Sequence, residues 1–308
     1  MSATARFQGI IPPMLTAFNA DGSIDWEANK VLIDYLIKNG VHGIFVNGSA
    51  GEFSRLNIQE RLQFAEFAAK HINGRVPLLI GTGSCNTFEA IHLTRHARDI
   101  GADGALIITP YYWRLSEDNL LNYFARIADA VDIPILIYSF PALTGQQMPC
   151  ELVGRLANDY ANIVGIKASV DSIAYIRQLI AKVKASKPEF SVLVGWDDHL
   201  FYNLAMGGDG AIPGTANFCP EVTIGIYENF IKGNLTESLK WHRILLLLLQ
   251  LYELDSPPIR ILKEACKQLG VGIQTFDRQA IGELNEEKKM HVRRILQKVK
   301  EAKTIIGN

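Results

Sequence analysis

The chain has 308 residues, of which 48% are hydrophobic and 20% charged, and its 31 basic side chains nearly balance its 32 acidic ones. These proportions are typical of a globular protein with a full core, and without a basic surplus we expect neither nucleic acid nor an anionic membrane as a partner. The longest apolar run, residues 244–249, is far shorter than the roughly 20 residues of a membrane span. The N-terminus shows no signal-peptide core, and four scattered cysteines form no close pair. We therefore expect a cytoplasmic protein with reduced thiols.

Short, continuously apolar segments recur along the chain, and each is followed by a helical pattern. Continuous rather than alternating apolar character is typical of parallel strands that are buried on both faces. Eight strand–helix units predict an α/β fold, a (β/α)8 TIM barrel, whose usual size is about 250 residues. A doubly wound open sheet is the alternative, but Gly81-Thr82-Gly83 lacks the third glycine of its phosphate-binding fingerprint. The predicted strands cover residues 9–18, 43–48, 76–83, 104–110, 133–140, 163–169, 191–197 and 210–215.

The helical stretches begin with capping residues, and the strand pattern stops after residue 233. Asp25, Asn57, Asn86 and Ser116 are predicted N-caps, and Pro220 suits a first helical position. Residues 235–254, 257–269 and 278–302 predict three further helices. We therefore expect a catalytic barrel over residues 1–233 and a C-terminal three-helix extension over residues 234–308.

Lys167 follows an apolar run at the predicted end of strand six, where a TIM barrel carries its catalytic groups. Removal from water favours an uncharged amine, which attacks a ketone to form a Schiff base whose iminium accepts electrons from the adjacent carbon. Tyr138, at the end of the neighbouring strand five, can exchange a proton with the carbinolamine. The alternatives are a Lys167 that reaches out to solvent and a Tyr138 that is only a core ring.

Two further strand ends carry polar groups. The turn Gly48-Ser49-Ala50-Gly51 offers backbone N–H groups and one hydroxyl that suit a carboxylate, although a tight turn without a ligand has the same sequence. Asp197 and Asp198 follow strand seven, where they either contact a substrate or cap the next helix.

Five motifs resemble, in order and at the expected strand ends, those of the dihydrodipicolinate synthase and N-acetylneuraminate lyase family of class I, Schiff-base aldolases. The likeness covers nearly the whole chain. Within the family, residues 138–145 (YSFPALTG) and 195–201 (GWDDHLF) are most similar to bacterial 2-keto-3-deoxygluconate aldolases. The motifs are Gly48-Ser49-x-Gly51-Glu52, Thr109-Pro110-Tyr111-Tyr112, Tyr138 with Pro141 and Thr144-Gly145, Gly165-Ile166-Lys167, and Gly207-Gly208-Asp209-Gly210.

The resemblance implies a role for each matching residue. Lys167 forms the imine with pyruvate or another 2-keto acid, and Tyr138 shuttles the proton. Ser49 links Tyr138 to Tyr112, which enters the site of a neighbouring subunit. Family members are usually tetramers built from tight dimers, and they need no metal or organic cofactor. The amides near Ser49 and Ala50 would hold the pyruvate carboxylate, with Gly48 opening that turn, and the Ile212 carbonyl would lie beside the reacting group.

The chain departs from the family pattern at several positions. Leu143 stands where dihydrodipicolinate synthases place an arginine that binds the carboxylate of the aldehyde substrate, and leucine cannot replace a bidentate cation. This argues against lysine biosynthesis. Ala50 replaces a hydroxyl residue common in the family, which leaves Ser49 as the only hydroxyl of its turn. Ala168 stands where family members usually have a polar or acidic residue, and Pro213 removes an N–H beside Ile212. These last two departures leave fine substrate positioning open. Asp197, Asp198 and Ser169 are polar groups without a fixed cation, which suits a neutral hydroxylated aldehyde.

These features predict a lyase that reversibly cleaves a 2-keto-3-deoxy sugar acid to pyruvate and a short hydroxyaldehyde. A synthase-like condensation, a keto-deoxy acid dehydratase and a non-catalytic keto-acid sensor stay as alternatives. A zinc-dependent aldolase is not expected, because His92 and His96 lack the intervening glutamate of a zinc-binding helix and the other histidines form no cluster.

Overall fold

The protein is described by a computed structural model over residues 6–279 and 283–306. Its eight strands are all parallel and occur in every segment where the sequence predicts one, although each strand is shorter than predicted. They are β1 (Gly9–Ile10), β2 (Ile44–Val46), β3 (Leu78–Gly81), β4 (Gly104–Ile108), β5 (Ile135–Ser139), β6 (Ile163–Ala168), β7 (Ser191–Val194) and β8 (Gly210–Ala211).

The sheet closes into a barrel. From β2 to β8 each strand pairs with the next, and β1 pairs with β8. A parallel bridge between Pro13 and Phe45 joins the chain after β1 to β2. The Phe45 N–H donates to the Pro12 carbonyl, and the Met14 N–H donates to the Phe45 carbonyl. Prolines cannot donate to a ladder, so the predicted first strand of residues 9–18 shortens to Gly9–Ile10. The predicted TIM barrel is confirmed.

Alternation along the strands divides the apolar side chains into two sets. Tyr138 belongs to the set that fills the barrel interior, whereas Ile107, Ile137 and Ile166 pack outward against the helices. The interior set also contains Phe7, Ile11, Phe45, Phe53, Leu79, Leu106, Ile108, Leu136, Leu193 and Ile212. Ala168 faces the helix layer, so this departure from the family pattern does not face the barrel mouth.

The predicted caps are confirmed. The side chains of Asp25, Asn86 and Ser116 each accept a hydrogen bond from the first turn of their helix, and Asn57 forms a capping box with Glu60. The barrel helices are α1 (Trp26–Lys38), α2 (Ile58–Ile72), α3 (Thr87–Asp99), α4 (Glu117–Ala130), α5 (Pro141–Thr144), α6 (Cys150–Asp159), α7 (Ile173–Gln178, continued as a π-helix over Leu179–Lys184), α8 (His199–Ala205) and α9 (Pro220–Ile231).

Three further helices follow α9, as the sequence predicts. They are α10 (Leu235–Leu249, then a 3-10 turn over Gln250–Glu253), α11 (Ile259–Gln268) and α12 (Glu286–Ile306). The predicted start of the last helix at residue 278 is wrong, because Arg278 instead reaches back to α2 and donates two hydrogen bonds to Glu60. Residues 280–282 of that predicted helix lie outside the described residues. Within the described ranges, no helix combines the length and the apolar character needed to cross a bilayer.

Candidate active site

Lys167 and Tyr138 occupy paired positions at the carboxyl ends of β6 and β5. Both side chains point into the barrel, and they are 4% and 3% exposed. The Lys167 Nζ lies 4.2 Å from the centroid of the Tyr138 ring and 5.3 Å from that of Phe45. Lys167 therefore does not extend into solvent, and the amine lies against the phenol that the sequence predicts as its proton-transfer partner.

The Lys167 amine lies against two aromatic rings and has no charged partner in the part of the chain that the structure describes. Among the described residues it has no salt bridge and no hydrogen bond to a carboxylate or carbonyl. The amine is therefore not engaged by a charged partner, and it can attack a ketone that enters the barrel mouth.

The turn after β2 brings Ser49 to the same site. Its Oγ lies 3.4 Å from the Tyr138 hydroxyl oxygen, a long contact that tightens only if the turn or the ring moves. Within the described chain neither the Ser49 nor the Ala50 amide donates a hydrogen bond. Gly48 is required for the close packing of this turn, since an added Cβ would lie 2.5 Å from the Phe45 ring. Two free amides and one hydroxyl can receive a carboxylate here.

Glu52 ends this turn and is buried with two cations, an arrangement that the sequence did not reveal as part of the site. Its side chain is 1% exposed; Oε1 accepts from Lys263 Nζ at 2.6 Å and Oε2 accepts from Arg55 at 2.8 Å. Burial lowers the pKa of Lys263, and the charge of Glu52 opposes that shift. A sequence signal existed, because Lys263 lies among Ile261, Leu262, Ala265 and Cys266 on the buried side of α11.

Asp197 has a different environment from the one expected of a substrate contact. Its buried carboxylate accepts hydrogen bonds from the Gly214 N–H, from the N–H and hydroxyl of Thr215 and from the Tyr252 hydroxyl. Burial raises the pKa of this carboxyl, and these hydrogen bonds act to lower it. We therefore infer that Asp197 stabilises the turn after β8. Asp198 stands at the N-cap of α8 without making a capping hydrogen bond. Its carboxylate can therefore accept a hydrogen bond from a substrate.

Gly195 and Ser169 are small residues that let the Lys167 side chain lie close to the end of β7. An added Cβ on Gly195 would lie 1.8 Å from Ser169 Oγ and 3.0 Å from Lys167 Cε. Ser169 is buried, and its N–H donates to the Ser139 carbonyl. Ile212 follows β8 with its side chain in the barrel interior. Gly195 is a site residue that the sequence analysis did not assign, although it lies in the segment Gly195-Trp196-Asp197 that ends strand seven.

Tyr112 and Leu143 lie on the loops that surround the barrel mouth. Tyr112 follows β4 and is 79% exposed, with its ring edge against Trp113. Within the described residues it makes no hydrogen bond with Ser49. Leu143, on α5 directly after β5, is also exposed. Among residues 6–279 and 283–306, no three His, Cys, Asp or Glu side chains are grouped as metal ligands, and His96 contacts Glu66.

Comparisons with known proteins identify the family of this chain. The family model of the dihydrodipicolinate synthetase family matches residues 6–299. The Escherichia coli K12 protein YagE, provisionally named a 2-dehydro-3-deoxy-D-gluconate aldolase, is 45% identical over 97% of this chain and 99% of its own. The probable 2-dehydro-3-deoxy-D-pentonate aldolase YjhH of the same organism is 43% identical over 94% and 97%.

Solved structures have the same fold. That of YagE in complex with pyruvate superimposes with a TM-score of 0.94 over 96% of this chain and 99% of its own. Thermotoga maritima dihydrodipicolinate synthase, 30% identical, gives a TM-score of 0.90 over 95% and 98%. With a family model matched over nearly its full length and a relative at 45% identity, this chain belongs to the dihydrodipicolinate synthetase family.

Proposed function

We propose that this protein is a class I aldolase that cleaves a 2-keto-3-deoxy sugar acid to pyruvate and a short hydroxyaldehyde, and that it also catalyses the reverse reaction. The observation that carries the proposal is the buried contact between Lys167 and Tyr138 at the barrel mouth. An amine and a phenol at this distance can act on one carbon centre, the amine as nucleophile and the phenol as acid and base.

The reaction follows from the positions of these groups. The substrate carboxylate binds at the free amides of Ser49 and Ala50, and Lys167 attacks the C2 carbonyl. Tyr138 gives a proton to the departing hydroxyl, so water leaves and the iminium forms. Tyr138 then takes the proton of the C4 hydroxyl, and the electron pair of the C3–C4 bond moves into the iminium. The aldehyde leaves, C3 is protonated, and water releases pyruvate from Lys167.

The side chain that follows β5 supports an uncharged aldehyde. The loop after β5 carries the exposed Leu143, which offers no charge to a second carboxylate. Asp198 stands at the start of α8 without a capping bond and is a candidate contact for substrate hydroxyls, with Ser169 as a second. The names of the relatives YagE and YjhH, which refer to six- and five-carbon 2-keto-3-deoxy acids, support this substrate class.

The proposed assembly is a homotetramer in the cytoplasm. The exposed Tyr112 ring fits a residue that enters the site of a second copy and completes the proton relay with Ser49. Neither metal nor organic cofactor has a part in the proposed reaction, since the iminium is the electron acceptor.

A panel of five- and six-carbon 2-keto-3-deoxy acids tests the proposal, with pyruvate release followed by coupling to lactate dehydrogenase. The proposal predicts pyruvate from at least one member of the panel. Loss of water without pyruvate would instead identify a dehydratase. Thermal stabilisation by keto acids with no turnover of any of them would identify a sensor and refute the proposed reaction.

A further inference from the structure

The ion pair between Glu52 and Lys263 connects the C-terminal helices to the turn that carries Ser49. Both side chains are almost wholly buried, at 1% and 0% exposure, with their charged atoms 2.6 Å apart. Lys263 also donates to the Phe276 carbonyl at 2.7 Å and lies 4.6 Å from the centroid of the Phe18 ring. A lysine whose amine is enclosed by a carboxylate, a carbonyl and a ring is fixed in one position.

The backbone conformation of Glu52 needs stabilisation by contacts of its side chain. Its φ is +60°, in the left-handed region that non-glycine residues seldom adopt. In this conformation the Glu52 N–H donates to the Ser49 carbonyl at 3.1 Å. Lys263 and Arg55 hold the Glu52 carboxylate and so keep Glu52 in the left-handed conformation. The hydrogen bond from the Glu52 N–H then fixes the position of the Ser49 carbonyl.

The opposite side of the same turn is held by the segment after β1. The Thr16 hydroxyl donates to the Gly51 carbonyl at 2.7 Å, and an added Cβ on Gly51 would lie 2.8 Å from the Met14 carbonyl oxygen. The barrel therefore fixes one side of the turn, and α11 fixes the other side through Lys263. Between these two supports lie the Ser49 hydroxyl and the free amides of Ser49 and Ala50.

We infer that Glu52 and Lys263 form a positioning pair that sets the affinity of the site for the keto-acid carboxylate and holds Ser49 against Tyr138. Neither residue touches the substrate; both act through the turn. The inference rests on the proposed function, because it assigns to the C-terminal extension a part in the proposed imine chemistry. It predicts that changes in α11, on a separate segment of the chain from β6, alter pyruvate binding.

The test compares two ion pairs at opposite ends of the barrel. Lys184 and Asp209 form a second, largely buried pair, with a 2.7 Å contact, beside the amino ends of β7 and β8. The double variants Glu52→Gln/Lys263→Met and Asp209→Asn/Lys184→Met each remove both charges of the pair. Arg55, which loses the charge of Glu52, keeps its 3.2 Å contact with Asp277. The rate of borohydride-trapped adduct formation, measured against pyruvate concentration, gives a half-saturating concentration and a maximal rate for each.

We expect the Glu52/Lys263 double variant to need at least about tenfold more pyruvate for half-saturation and to form the adduct more slowly, because loss of a charge-assisted hydrogen bond frees the turn. The Asp209/Lys184 variant, which is destabilised in the same way, should keep wild-type constants. If the double variant does not fold, the single variant Lys263→Met repeats the measurement, because it leaves the Glu52 carboxylate paired with Arg55.

Two outcomes would contradict the inference in distinguishable ways. Wild-type constants in a folded Glu52/Lys263 variant, or equal losses in both double variants, would overturn the positioning role alone and leave the aldolase proposal standing. A wild-type chain that traps no pyruvate would refute the imine chemistry itself, and the positioning role with it.

Discussion

Lys167 and Tyr138 are register partners on adjacent parallel strands, and the amine lies 4.2 Å from the centre of the phenol ring. The strand pairing itself sets this relationship, because neighbouring residues on β5 and β6 that face the barrel interior lie side by side. A flexible loop is not needed to bring the two groups together. The pair is therefore available before a substrate binds.

Replacement of Tyr138 by Phe removes the proton-transfer group and keeps the ring. We expect kcat for pyruvate release to fall by about 10²- to 10⁴-fold, the usual contribution of a positioned acid or base, with little change in melting temperature. Steady-state kinetics on the substrate found by the panel measure the effect. A loss below about threefold would show that another group transfers the proton.

The Ser49→Ala variant should have a smaller effect than Tyr138→Phe. The contact between Ser49 Oγ and the Tyr138 hydroxyl is 3.4 Å long, and loss of a modest hydrogen bond corresponds to about fivefold. The double variant with Tyr138→Phe should then lose no more than Tyr138→Phe alone, because Ser49 acts on the reaction through that hydroxyl. Additive losses would show that the Ser49 hydroxyl, and not only the Ser49 amide, contacts the substrate.

Much of the fold followed from the sequence, and the failures have physical causes. Most of the eight strands lie in continuous apolar runs, and the caps Asp25, Asn57, Asn86 and Ser116 use local hydrogen bonds that a sequence can reveal. The part of the site at the ends of β5 and β6 was predictable for the same reason, because the strand end alone determines where Lys167 and Tyr138 lie.

Contacts between distant segments were not predictable. Asp197 stands at the end of a predicted strand, as a substrate contact would, but its partners Thr215 and Tyr252 come from the turn after β8 and from the C-terminal extension. Glu52 meets Lys263 across 211 residues of sequence. A single sequence carries no information about which polar residues converge over such separations.

Gly195→Ala tests how tightly the lysine is packed against β7. The new Cβ would overlap Ser169 Oγ at 1.8 Å and crowd Lys167 Cε at 3.0 Å, so we expect adduct formation to fall at least about tenfold and stability to fall by about 1–3 kcal/mol. Ser169→Gly in the same chain removes the worse overlap and should restore part of both. Trapping kinetics and urea unfolding measure the two effects.

Gly154→Ala is the matched control for this substitution. Its Cβ would lie 3.7 Å from Val183, an ordinary contact, and Gly154 is inside α6, where alanine is the better helix former. We expect wild-type activity and equal or higher stability. If Gly195→Ala behaves in the same way, the packing described for Lys167 is incorrect.

Arg278 gives a pH-dependent link between the C-terminal segment and α2. Hydrogen bonds from Arg278 hold the pKa of Glu60 below its ordinary value of 4.5. A carboxyl with a lowered pKa stabilises the fold fully above its unfolded value and loses that contribution as pH falls through its folded value. Arg278→Met should therefore lower the urea midpoint at neutral pH, and its deficit should shrink below about pH 4.5.

The Glu60→Gln variant provides the control for this pH dependence. A glutamine at this position can still accept the hydrogen bond from the Asn57 N–H but does not titrate. The stability deficit of Glu60→Gln relative to wild type should therefore shrink over the same acid range. Urea unfolding of the three proteins from pH 7 to pH 3 measures the difference. A deficit for Arg278→Met that stays constant across that range would show that Glu60 draws no stability from the arginine.

The four cysteines differ in their access to solvent. Cys85 is exposed, whereas Cys150, Cys219 and Cys266 are buried and free. Burial raises the pKa of Cys150 to about 11 and raises the pKa values of Cys219 and Cys266 further, so little reactive thiolate is present at neutral pH. A chromogenic disulfide reagent should modify one thiol of the native chain and four after unfolding. Rapid modification of two or more would contradict this packing.

The most direct test of the account is whether pyruvate and borohydride leave a reduced adduct on Lys167. Intact mass and peptide mapping should show one pyruvate-derived group per chain, attached at Lys167 and absent from Lys167→Arg, while the circular dichroism spectrum of that variant stays like that of the wild type. An unmodified wild-type chain, or an adduct mapped to another lysine, would contradict it.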